Sequence, residues 1–280
     1  MYKRILVPVD FTEKSHRALE SACQMAKKLE SAVYIMHVIK AALSVYLDAF
    51  GDYKSKATAG QKFSEEVLAI NESKMLKLIN KFDSSGLTTH SKLKADSTPN
   101  EIARLVAEEA FDLTVVGNYE QGRFDEVFRR TNPEKINPML TVNKALADFK
   151  VSKISVTTNL SDDYSSSTQQ LMDFVKTFNA EVNFVYVNTQ ANFMTTLQVE
   201  KITTEFKALN SLGKQKASVF NAKSLKRGIL YAADYYESDM IGLFSHHSGN
   251  IKNLFVGNIT EDLITKSDIP VLTFNLSVQQ

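Results

Sequence analysis

Arg4-Ile5-Leu6-Val7-Pro8-Val9-Asp10-Phe11-Thr12 is an apolar run closed by an acid and a hydroxyl residue. It returns as Lys153-Ile154-Ser155-Val156-Thr157-Thr158-Asn159-Leu160-Ser161, displaced by 159 − 10 = 149 positions. The same displacement carries His37-Val38 onto Tyr186-Val187. Further on, Asp112-Leu113-Thr114 returns as Asp239-Met240-Ile241, displaced by 239 − 112 = 127. A repeat of this length is a domain rather than a solenoid unit. The chain therefore serves as its own alignment: a residue that differs between the halves at a chemically demanding position says what one half has given up.

Outward from the first run, Ala18 to Leu29 has helical spacing, with Leu19, Ala22, Cys23, Ala26 and Leu29 on one face. Val33 to Val38 is almost continuously apolar, as a strand buried on both faces of a parallel sheet should be. Lys40 to Gln61 reads as irregular, followed by a helix over Phe63–Phe82, a strand over Thr88–Lys94, a helix over Asn100–Ala110, and strands at Leu113–Gly117 and Met139–Val142. The second half repeats the alternation. Its strands are Ile154–Thr158, Val182–Val187, Lys216–Ala222, Met240–Phe244 and Val271–Phe274; its helices are Ser166–Phe178, Leu197–Leu212, Leu225–Tyr235 and Thr260–Thr265. Such alternation predicts the α/β class, as two tandem doubly wound parallel-sheet domains over residues 1–146 and 151–280. The short connection Ala147-Asp148-Phe149-Lys150 should hold them close. The displacement falls by 149 − 127 = 22, and the Lys40–Gln61 segment accounts for most of that.

Bulk composition narrows the function classes. With 33 basic and 32 acidic residues among 280, the chain carries no electrostatic footprint for nucleic acid. No apolar run is long enough to span a bilayer. Met1-Tyr2-Lys3-Arg4 leads directly into a strand, so no signal peptide is expected. The single cysteine, Cys23, excludes an internal disulfide, fits a reducing cytoplasm, and reads as a small packing residue.

Ile5-Leu6-Val7-Pro8-Val9-Asp10 resembles the first strand and terminal acid of the universal stress protein family. Gly257-Asn258-Ile259-Thr260-Glu261-Asp262-Leu263, followed by Asp268-Ile269-Pro270-Val271-Leu272-Thr273-Phe274, resembles its last helix and strand. The likeness covers the chain twice, as in the tandem form of the family. It implies the adenine nucleotide alpha hydrolase-like fold and a stress-response role. Members that bind ATP carry G-x2-G-x9-G-[ST] after the fourth strand. Glycines there let the backbone approach phosphate, and exposed amides at the next helix start bind the anion. By the resemblance, the first-strand acid and a second-strand valine hold the adenosine end. The matching positions are Asp10 with Val38 and Asn159 with Val187.

Read without gaps, the loop positions are Gly117, Glu120, Arg130 and Thr131 in the first half, and Phe244, His247, Gly257 and Asn258 in the second. The spacing survives twice, but the complete set of residue types survives in neither copy. Glu120 sets a carboxylate where phosphate would sit, and Phe244 and His247 are bulky where the motif reserves glycine. The candidate residues of two degraded clefts are therefore Asp10, Val38, Gly117, Thr131, Val187, Gly257 and Asn258. Pro133 and Pro138 bracket a fourth helix that should be stunted to about a turn.

Other residues carry little chemistry. His246 and His247 are adjacent, so on a strand they face apart, and they read as an exposed loop rather than a metal site. His16 reads as helix surface and His37 as a strand end. Ser165-Ser166-Ser167 after Asp162-Asp163 reads as capping. No nucleophile, base and orienter come together, so no enzyme activity is expected. The leading expectation is a cytoplasmic, non-enzymatic stress protein that engages a protein or small-molecule partner. Neither nucleic acid nor membrane is an expected partner, and no cofactor is expected. The resemblance implies an intramolecular pseudo-dimer through the last strands, Leu140–Val142 and Val271–Phe274, with further homodimerisation open. The alternative is an ATP- or AMP-binding switch with weak or no hydrolysis. A third reading has an apolar ligand under Tyr46, Leu47, Phe50 and Tyr53, which otherwise pack locally.

Overall fold

A computed structural model describes residues 2–39, 53–83, 89–95, 108–117, 137–144, 146, 148–160, 165–213, 215–246, 263 and 266–276; at 39, 53–65, 83, 91–95, 165–167, 245–246 and 275–276 only the backbone is described. The first half contributes β1 (Arg4–Pro8), α1 (Glu13–Leu29), β2 (Ala32–Ile39), α2 (Tyr53–Asp83), β3 (Thr89–Ala95), β4 (Leu113–Gly117) and β5 (Met139–Val142). The second contributes β6 (Lys153–Thr157), α3 (Ser165–Phe178), β7 (Glu181–Asn188), α4 (Thr196–Leu209), β8 (Lys216–Asn221), α5 (Leu225–Tyr235), β9 (Met240–His246) and β10 (Val271–Leu276).

All ten strands form one sheet in the order β3-β2-β1-β4-β5-β10-β9-β6-β7-β8. Each half has the same internal order, third-second-first-fourth-fifth, and its pairs are parallel. The seam differs. β10 runs antiparallel to β5, with Leu272 opposite Leu140 and Thr273 opposite Met139, so the two last strands cover each other's edge.

Two boundaries differ from the expectation. α1 begins at Glu13, five residues before the apolar periodicity starts, because Thr12 caps it by accepting from the Ser15 amide, and Arg17 pairs with Glu13 one turn back. α2 begins at Tyr53, inside the stretch read as irregular. Residues 54–62 hold lysines, alanines and a glutamine without a proline, so they sustain a helix although they lack an apolar stripe. His246, read as a loop residue, is the last residue of β9. Tyr46, Leu47, Phe50, the Tyr53 side chain, the stunted helix and most of the expected helices Asn100–Ala110 and Thr260–Thr265 lie outside the described residues.

One face of the sheet carries a core that ignores the boundary between halves. It joins Ile5, Val7, Leu113 and Leu140 to Ile154, Val156, Phe184 and Phe274, with Tyr2, Phe149, Val151 and Phe174 between them. Tyr2 packs edge-on against Phe174 at 5.5 Å, and its hydroxyl donates to the Gln170 carbonyl at 3.1 Å. Burial, aided by Asp173 and Asp112, pushes that phenol upward from its ordinary pKa. Phe149 is 1 % exposed, so the connection is itself core. On the other face, α5 sits over Val185, Val187, Ile241 and Leu243, while Leu6, Met36, Val38 and Phe111 form a smaller cluster.

The repeat extends to individual hydrogen bonds. Asp112 Oδ2 accepts from the Lys3 and Arg4 amides at 2.7 and 2.9 Å, and Asp239 Oδ2 accepts from Ser152 and Lys153 at 2.6 and 2.9 Å. Left-handed backbone recurs at Phe11 and Leu160 (φ 61 and 60), Glu30 and Asn179 (52 and 51), and Ala110 and Glu237 (46 and 50).

Candidate functional site

In a sheet of this order the winding reverses between the first and fourth strands, which stay parallel, and ligands lie beyond the carboxyl ends of those strands. That places one cleft past β1 and β4 and another past β6 and β9. Asp10 stands at the first. Its Oδ1 accepts from the Thr12 amide at 3.0 Å and the Thr12 hydroxyl at 2.5 Å, and its own amide donates to Ser15 Oγ at 3.3 Å. The sharp turn needs the left-handed Phe11 between them. Burial works to raise the Asp10 carboxyl, but the bonds from Thr12 and Ser15 outweigh it and hold the group below the usual carboxylate range. Asp10 is thus a fixed anion at neutral pH.

Val38 lies two residues beyond the last β2 position paired with β1, buried among Leu6, Met36 and Phe111. Next to it His37 bonds through Nδ1 to the Val9 carbonyl at 2.7 Å, which requires the proton on Nδ1. The Phe11 ring lies 4.3 Å from that imidazole, and Lys74 of α2 sits 5.5 Å from the Phe11 centroid. Sequence reading passed over Phe11, Thr12, Ser15 and Lys74. Asp10-x-Thr12-x-x-Ser15 was a legible signal, since an acid followed by two spaced hydroxyls is a turn-and-cap pattern. Lys74 gave no signal, because its approach depends on how α2 crosses the sheet.

Gly117 ends β4, and a Cβ there would meet the Lys14 carbonyl oxygen at 2.2 Å and the Ser15 nitrogen at 2.9 Å. The first turn of α1 comes so close that only glycine fits, whatever else occupies the cleft. At 117 + 127 = 244 the second half has Phe244, which is 2 % exposed and lies 5.7 Å from the Phe274 ring. The same strand position is backbone contact in one half and a full aromatic side chain in the other.

Val187, the counterpart of Val38, is buried under α5, where Gly228 lets the helix close down: a Cβ on Gly228 would lie 2.2 Å from Val187 Cγ1. Asn159 follows β6 at the position of Asp10 and is half-buried. The structure thus brings Asp10, Val38 and Gly117 to one end of the sheet and Val187 to the matching end of the other half. Thr131, Gly257 and Asn258 lie outside the described residues, as do Glu120, Arg130 and His247. Among the described residues no group of three or more His, Cys, Asp or Glu side chains could hold a metal ion, and no helix is long and apolar enough to cross a membrane. Cys23 is buried, and that burial pushes its thiol up to about 12, so it stays protonated at neutral pH.

Residues 1–136 match the family model described as the universal stress protein family. A universal stress protein of Methanocaldococcus jannaschii is 24 % identical over 150 residues, which is 51 % of this chain and 84 % of that protein. Two solved structures align over nearly the whole chain. One is a universal stress protein from Archaeoglobus fulgidus, with TM-score 0.68 and 15 % identity, covering 98 % of this chain and 99 % of its own. The other is an assigned universal stress protein from Pseudomonas aeruginosa, with TM-score 0.62 and 12 % identity, covering 98 % and 94 %. At these identities the structures establish a shared fold and nothing finer.

Proposed function

Since the first half of the chain matches the universal stress protein family model, we propose that it acts in the stress response as a non-enzymatic two-unit interaction protein with impaired nucleotide binding. The units are taken as residues 1–146 and 151–280, joined through β5 and β10. A cytoplasmic location and a protein or small-molecule partner belong to the same reading. Phe244 carries it. A buried phenyl group occupies the strand end at which an ATP-binding cleft needs bare backbone, so an adenine nucleotide does not fit the second half. In the first half Gly117 is already committed to the close approach of α1.

The second reading is a nucleotide switch in the first half, with weak or no hydrolysis. The anionic Asp10, held by Thr12 and Ser15, favours it, because a fixed carboxylate at that strand end could accept from a ribose. Isothermal titration of the full chain with ATP and magnesium separates the two. We expect no heat of binding in the micromolar range; micromolar binding overturns the impaired-binding reading. Should binding occur, Asp10→Ala abolishes it if the site is in the first half and leaves it intact if the site is in the second.

A further inference from the structure

We propose that the second half binds a small monocationic molecule with a compact apolar body, in a cavity between α4 and the edge strand β8, with Asn188 of β7 at one end. The cavity measures about 470 Å³, within the range of small-molecule sites. It opens toward the β8 edge of the sheet, whereas the cleft expected from the strand order lies past β6 and β9.

Its walls have a definite chemistry. Met194, Val199, Ala217 and Val219 supply an apolar floor. At one end stands Asn188, only 7 % exposed, its amide fully committed: Oδ1 accepts from the Met194 amide at 2.9 Å, and Nδ2 donates to the Met194 carbonyl at 3.2 Å and to Asn221 Oδ1 at 3.0 Å. That last bond fixes the Asn221 amide so that its Nδ2 hydrogens remain to donate, with no partner among the described residues. Thr196, Glu200, Thr203 and Thr204 complete the lining. Glu200 makes no ion pair among the described residues, and no lysine or arginine lines the cavity. The only charge facing a ligand is therefore negative. A phosphate or carboxylate would enter with no counter-charge, whereas an ammonium gains Glu200 and a neighbouring hydroxyl or carbonyl gains Asn221.

The repeat argues that this end wall is a specialisation of the second half. Asn188 pairs with Asn221 across β7 and β8, and in the first half the same register position pairs Ile39 with Ala95 across β2 and β3. The displacement from Ile39 to Asn188 is 188 − 39 = 149, that of the flanking strands. In the second half that position carries two bonded carboxamides: Asn188 holds the Met194 backbone, and Asn221 keeps an amide group at the cavity lining.

The test uses the full chain and three matched probes: 2-phenylethylammonium, 2-phenylethanol and 3-phenylpropionate, followed by saturation-transfer NMR and titration at probe concentrations up to about 1 mM. The cation should bind, the alcohol about fivefold more weakly, as a solvated charge pair implies, and the anion not at all. Glu200→Gln, at an exposed helix position, should bring the cation down to the level of the alcohol. Val219→Trp, at a partly exposed strand position, should abolish both by filling the cavity, with the melting temperature of each variant measured in parallel. Binding of 3-phenylpropionate as tight as that of the amine overturns the proposal. So does an unchanged cation affinity in Glu200→Gln, or the absence of saturation transfer from all three probes.

Discussion

At the end of β4 the backbone of Gly117 touches the first turn of α1; at the end of β9, in the same place in the repeat, Phe244 buries a ring against Phe274. Much of the described frame around these positions is alike. The strand order, the aspartates that clamp the first-strand amides and three pairs of left-handed residues recur almost without change. A duplicated fold keeps the features that hold its strands in place, because losing one costs both copy and neighbour. Residues at the carboxyl ends of the strands are freer to diverge, since the sheet is complete without them. The two halves differ at the carboxyl ends of these strands, while the strand order is kept.

Phe244→Ala should have the largest effect, a loss of about 3–5 kcal/mol, because it empties a ring-sized volume of a core shared by both halves. Urea denaturation reads it, and a loss below 1 kcal/mol would mean that Phe244 is not the packing element we take it for. Gly117→Ala follows at about 1–3 kcal/mol: its Cβ lies 2.2 Å from a carbonyl oxygen, and α1 must move to admit it. A neutral result there would free the glycine for a ligand role and strengthen the nucleotide reading. Asp112→Ala and Asp239→Ala each strip two backbone amides of an acceptor and should cost about 1–3 kcal/mol. Their near-equality, from parallel denaturation curves, tests whether the frame is duplicated energetically as well as geometrically.

Asp10 gives the smallest and most specific contrast. Its carboxyl is held below the ordinary range in the folded chain, so the stabilisation is fully present above the ordinary carboxylate pKa and is lost as pH falls through the lowered value. Asp10→Asn should therefore be less stable than the parent at neutral pH and should converge with it in strong acid. Asn159, its counterpart, cannot titrate, so Asn159→Ala should show no such convergence. A constant gap for Asp10→Asn across that window would mean that Thr12 and Ser15 do not favour the anion.

Legibility followed the physics of each feature. Val33–Val38 and Val182–Val187 were readable because strands buried on both faces are almost continuously apolar, His37 and Asn183 being the exceptions. The seam strands were expected from the family resemblance, and β5 and β10 pair there. The starts of α1 and α2 were missed because a polar first turn leaves no apolar period, although Thr12 is a legible cap. The contact of Gly117 with α1 could not be read from the sequence, since nothing local says that α1 passes so close to it. Gly228 drew no notice at all, yet it sets how closely α5 covers Val187. The cavity at Asn188 and Asn221 was equally hidden, because two asparagines 221 − 188 = 33 residues apart meet only through strand register.

By itself the sequence determined that the chain is a doubled α/β unit and that its two copies differ at Asp10 and Asn159 and at Gly117 and Phe244. Those are matters of periodicity and identity, and both are local. Tertiary structure alone decided what the differences do: that one glycine is spent on a helix, that one phenylalanine is core, that Phe149 makes the connection part of a single interior, and that a pocket opens beside β8. Each of these depends on distances between groups far apart in the chain, set by how twisted strands and crossing helices close on one another.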